Sequence, residues 1–94
     1  MPKKPERVVV TVMGQDRVGI VAGISQTLAE HGVNIVDLTS TEMRGLFIMI
    51  MLVDTANSKK PLSKLQEVLK EKGEALGVQV MAQHEDVFRY MHRI

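Results

Sequence analysis

Apolar positions recur along the chain in two different rhythms. Arg7 to Met13, RVVVTVM, is dense in β-branched residues whose stiff side chains suit a pleated strand. The rhythm then changes, because Ile20, Ile24 and Leu28 recur four apart, joined by Val21 and Ala29, and predict an amphipathic helix. Asp16 stands where an N-cap would, and Gly32 supplies the positive-φ residue that commonly ends a helix. From Val33 the run VNIVDLTST has Val36 and Leu38 two apart and no helical period, which predicts a second, more polar strand. Arg44 and Gly45 separate it from a third strand, Leu46 to Val53, so the two runs form a hairpin turning at Gly45. After polar DTANSKK, Pro61 sits where a missing N–H costs least. Leu62, Leu65, Leu69 and Leu76, with Val68 beside them, share one face of a helix from about Pro61 to Leu76 that stops at Gly77 and is weakened in its last turn by Gly73. In VQVMAQH, Val78, Val80 and Ala82 alternate with Gln79, Met81 and Gln83 as a fourth strand. Glu85 or Asp86 can cap a final helix, on which Val87, Tyr90, Met91 and Ile94 make an apolar stripe.

This order, β-α-β-β-α-β with a short C-terminal helix, is that of a ferredoxin-like α+β sandwich: a four-stranded antiparallel sheet with two helices on one face. Residues 1–94 form one domain, with 1–6 as a flexible N-terminus and 86–94 as the C-terminal helix. Strands one and three are central in that topology and are the most apolar. Strand two, with Asn34, Asp37, Thr39, Ser40 and Thr41, falls at an edge, where polar side chains moderate unpaired backbone groups. The two central strands are apolar on both faces, whereas a sheet with helices on one side alternates. The tail helix, a second copy of the chain, or both are expected to cover the second face.

Composition narrows the function. Leu, Ile, Val and Phe make up close to a third of the chain, enough for a core. Twelve basic residues balance 11 acidic ones, leaving a net charge of +1 and no field to attract nucleic acid or an anionic membrane. The absence of cysteine excludes disulfides, thiolate metal sites and a Cys nucleophile. The N-terminus lacks the form of a signal peptide, and the longest apolar run is far short of the ~20 residues of a membrane-spanning helix, so a cytoplasmic location is expected.

Enzyme motifs are lacking. GxSxG and HExxH are missing, and the glycines at 14, 19 and 23 fit neither GxGxxG nor a phosphate loop. No enzyme activity and no cofactor are expected. His84, Glu85 and Asp86 are adjacent, but consecutive residues seldom converge on one ion, and a cap is the better reading of the acids. His31 suits the end of its helix, where a cationic or polar side chain complements the dipole, and His92 falls on the solvated side of the tail. With only Phe47, Phe88 and Tyr90 aromatic, stacking platforms for nucleic acid are missing too. Functional content concentrates in GQDRVGI, which joins strand one to helix one. Its amides at the positive end of the helix dipole suit a carboxylate, Gly14 and Gly19 allow close approach to the main chain, and Asp16 can cap the helix or pair with a ligand ammonium.

The D-R-x-G-I-V turn at Asp16 to Val21, the helix ending in His31-Gly32, and Val33-Asn34-Ile35 after it resemble the ACT domain, a regulatory module attached to many enzymes of amino-acid metabolism. The likeness covers nearly the whole chain, and the end, VMAQHEDVFRYMHRI, is similar to short stand-alone ACT proteins and to the ACT halves of the regulator of glycine-cleavage genes. The resemblance implies a homodimer that binds an amino acid or similar small carboxylate between the turn of one copy and the second strand of another. Carried over, the site comprises Gly14, Gln15, Asp16, Arg17, Val18, Gly19 and Ile20 in the turn, with Asn34 and Ile35 on strand two. Serine-sensing members have histidine at the position of Gly14 and asparagine at that of Asp16, and Val18 replaces a frequent proline. The alternative is a protein-interaction module that takes no small ligand.

Overall fold

The computed structural model describes residues 4–92; Ile94 of the tail stripe and residues 1–3 of the N-terminus lie outside the described residues. Seven elements follow in the expected order: β1 (Arg7–Gln15), α1 (Ile20–Glu30), β2 (Asn34–Met43), β3 (Leu46–Asp54), α2 (Leu62–Leu76), β4 (Val78–His84) and α3 (Glu85–Met91). The sheet is antiparallel throughout, in the order β2-β3-β1-β4, so the two most apolar strands are central and the polar β2 is an edge. This is the ferredoxin-like sandwich. Its core lies between the sheet and the first two helices: Val8, Val10 and Val12 of β1 and Phe47, Met49, Met51 and Val53 of β3 meet Ile20, Ile24 and Leu28 of α1 and Leu65 and Leu69 of α2.

Close approach explains two glycines. A Cβ on Gly14 would lie 2.8 Å from Val78 Cγ1, so this position lets β1 continue two residues past Met13, beside β4 and in register with Phe47 and Leu46. Gly73, read from the sequence as a weak point of α2, is instead buried where that helix presses on β4, and a Cβ there would lie 2.6 Å from Val80 Cγ2.

Three local expectations are corrected. Asp16 does not cap α1, because its amide donates to Gly45 O (3.2 Å) across the hairpin tip and the helix begins only after Gly19, the N-cap, whose carbonyl accepts the first helical bond and whose φ is 93°. Neither Glu85 nor Asp86 caps α3: His84 does, its Nδ1 accepting from the Asp86 amide at 3.1 Å, while both acids occupy the first turn. The third concerns the tail. α3 does lie on the second face, over β1 and β4, but Val87 and Tyr90 point away and are exposed, the half-buried Glu85 and Phe88 face the sheet, and the exposed Met91 touches it only from the flank, through Gln83. His31 holds the end of α1 as its position suggested, with Nδ1 2.8 Å from Thr27 O. His92 is exposed and stacks on Phe88 at 4.3 Å between ring centres.

Candidate functional site

The residues singled out between β1 and α1 divide into three groups. Gly14 and Gln15 are still sheet, paired with Phe47 and Leu46. Asp16 ties the turn to the β2–β3 hairpin through its amide, and its carboxyl meets that of Glu42 on β2. The hydrogen bond to Asp16, reinforced by the repulsion between two like charges, holds the Glu42 pKa above the usual carboxylate value. When both groups are ionised, the pair is an exposed focus of negative charge. Arg17 points elsewhere. Its guanidinium lies against Gly77 at the C-terminus of α2, where a cation complements the helix dipole.

Val18 is wholly exposed at the tip, and Gly19 turns the chain into α1 with no side-chain cap. The first helical bond runs from the Gly23 amide to Gly19 O at 2.8 Å, so the amides of Ile20, Val21 and Ala22 have no acceptor inside the helix. Ile20 contributes only its backbone, since its side chain is in the core. These amides are donors suited to a carboxylate, on the same turn as Asp16 of the carboxyl pair. A shallow cavity of about 410 Å³, lined in part by Met13, Gly14, Leu46 and Val78, opens beside it.

Asn34 and Ile35 are not brought to this turn. Asn34 pairs with Asp54, which pairs with Arg7, whereas Gly14 pairs with Phe47 opposite Glu42. Seven residues of β1 separate those rungs, about 23 Å at ~3.3 Å per residue, too far for one small ligand to touch both within a chain. Sequence reading missed Glu42. Its signal was available in the hairpin: a turn at Arg44-Gly45 pairs Met43 with Leu46 and Glu42 with Phe47, at the turn end of the sheet. Among the described residues no group of three or more His, Asp or Glu side chains is placed to hold a metal ion, and no helix is long and apolar enough to cross a membrane.

Comparison with known proteins places these features in context. The ACT domain profile matches residues 6–83. A UPF0237 protein of Methanocaldococcus jannaschii is 60% identical over 94% of this chain and 98% of its own length, and one from Clostridium perfringens is 48% identical over 92% and 97%. The solved ACT domain protein from Streptococcus pneumoniae superposes with a TM-score of 0.80 at 32% identity, covering 90% of this chain and 96% of that one. A putative glycine cleavage system transcriptional repressor shares the fold, with a TM-score of 0.72 at 22% identity over 85% of this chain and 46% of its own.

Proposed function

The chain belongs to the ACT domain family, and from that premise we propose that it is a regulatory module, without catalytic activity of its own, that binds an amino acid or similar small carboxylate between two copies of itself. The observation that carries this reading is the coincidence at one turn of three uncapped amides, at Ile20, Val21 and Ala22, with the carboxyl pair of Asp16 and Glu42. The amides suit the carboxylate of a zwitterion and the acids its ammonium.

The two edges of the sheet support pairing through β2. The β4 edge is blocked by α2: Gln66 Nε2 donates to Ala82 O at 2.7 Å, and Gly73 presses on Val78 O. Along β2 every residue is exposed except the half-buried Ile35. β1 and β2 are both antiparallel to β3 and so run the same way. Antiparallel pairing of two β2 edges would therefore carry Asn34 of a second copy toward the end of the sheet that holds the first copy's turn. In this reading Gly14 to Ile20 come from one copy, Asn34 and Ile35 from the other, and a ligand favours the paired state by binding it alone. The cytoplasm suits such a sensor.

Thermal shift against the twenty amino acids and related small carboxylates tests the reading. At a hundredfold excess over its dissociation constant, a ligand of the paired site stabilises by ~2.7 kcal/mol, a rise of roughly 10 to 20 °C for a domain of this size. Asn34→Ala and Asp16→Ala should each remove most of the rise. A shift that survives both substitutions places the ligand elsewhere, and a flat screen with pairing retained favours the interaction-module alternative.

A further inference from the structure

The second face of the sheet is divided in two. Toward Val9 and Gln83 it is covered by α3, which leaves Val9 only 7% exposed and brings Gln83 Nε2 to 3.3 Å from Met91 Sδ. Beyond Thr11 it is bare: Met13, Leu46, Ile50 and Met81 are 42%, 42%, 38% and 54% exposed. The side chains that the register puts on this half, from Met13 and Thr11 through Leu46, Ile48 and Ile50 to Met81, carry no charge. The helix beside them shows the complementary feature. At ~100° per residue, Val87 and Tyr90 lie on the side of α3 away from Glu85 and Phe88 and are 49% and 74% exposed, while Met91, which reaches Gln83 from the flank beside Phe88, is still 57% exposed.

We propose that a second copy of this chain covers this face, related by a two-fold axis that lies between the two sheets and across their strands, so that each α3 lays Val87 and Tyr90, with the exposed flank of Met91, on the bare half of the other sheet. The shape requires only one layer of helix. Each face is a ridge at one end and a shelf at the other, and reversing the strand direction sets each ridge on the opposite shelf, as an isologous contact demands. The area is adequate: the exposed parts of Met13, Leu46, Ile50, Met81 and the α3 stripe come to roughly 700 Å² per copy, close to the ~800 Å² each partner gives to a standard interface. The charges on α3 are few and have partners close by: Arg89 is paired with Glu85 at 3.2 Å along the helix, and Asp86 lies 3.7 Å from His84 Nδ1. The inference depends neither on an effector nor on β2 pairing, which uses a different surface.

Cross-linking tests it, and the cysteine-free chain makes engineered pairs unambiguous. Met13→Cys and Val87→Cys proteins, mixed in equal amounts and oxidised at low concentration, should give a linked two-chain species in several-fold higher yield than either protein alone. Light scattering after size exclusion should show the mass halved by Met81→Lys and by Val87→Lys, with circular dichroism unchanged. A mass unaffected by both lysine variants, no link in the mixture, or links formed chiefly within the Met13→Cys protein alone would each overturn the proposal. An assembly paired only at β2 keeps its mass in both variants, so this failure is distinguishable from failure of the sensor reading. A native protein with the mass of one chain overturns it outright and leaves the face to a different partner.

Discussion

The two ends of the sheet hold the same chemical group in opposite circumstances. At one end Asp54 Oδ1 accepts from the amides of Ala56 at 2.9 Å and Glu6 at 3.1 Å, and those hydrogen bonds, aided by the charge of Arg7, hold its pKa below the usual carboxylate value. At the other end Asp16 and Glu42 meet each other, and the pKa of Glu42 is raised. A carboxylate on which backbone amides converge is part of the fold. A carboxylate that meets another carboxylate is a charge still in search of a cation, beside amides still in search of an anion. Residue type does not separate these cases; what the backbone does around each group decides.

Breaking the turn end sterically should have the largest effect. Gly14→Val drives a side chain into Val78, since even a Cβ would lie 2.8 Å from Cγ1. It should cost about 2 to 3 kcal/mol as β4 is pushed from β1, read as a fall of roughly 10 to 20 °C in Tm. Gly19→Ala should cost less, about 1 to 2 kcal/mol, because nothing lies within 4 Å of the added Cβ and only the left-handed φ of 93° is penalised. If denaturant unfolding ranked the two variants the other way, β4 would have to yield at this end with little penalty.

Smaller effects should distinguish the carboxylates by pH. The depressed pKa of Asp54 means that its contribution is present above its unfolded value and is lost as pH falls through the folded one. Asp54→Asn should therefore lower Tm by several degrees at neutral pH, and the difference should shrink in acid. For Glu42, with its raised pKa, the contribution is present below the unfolded value and lost as pH rises through the folded one. Glu42→Gln should accordingly raise Tm slightly at neutral pH, and the gain should disappear in acid. Melting curves from neutral pH to the acid side of the carboxylate range check both signs, and a matching pH dependence for the two variants would erase the contrast between the ends.

Much was legible in the sequence because it depends on local periodicity. Alternation in VQVMAQH marked β4 to the residue, the four-residue spacing of Ile20, Ile24 and Leu28 marked the buried side of α1, and the difference in polarity between β2 and β3 put one at the edge and the other in the centre. These signals are short-range: each records which face of an element meets the core. The reading failed where a residue's partner is distant. Asp16 was taken for a cap because it precedes a helical pattern, yet the tip of a hairpin about thirty residues later holds its backbone and Glu42 meets its side chain. The stripe on α3 was legible as apolar but not as outward-facing, since its seven residues touch the sheet from a direction that only the path of β4 sets. Sequence alone determined the elements, their order and the apolar second face, through side-chain periodicity. Tertiary structure alone decided that the turn and Asn34 lie at opposite ends of a chain, that Glu42 joins Asp16, and that one edge is closed and the other open, because each of these depends on strand register and helix placement between residues far apart in sequence.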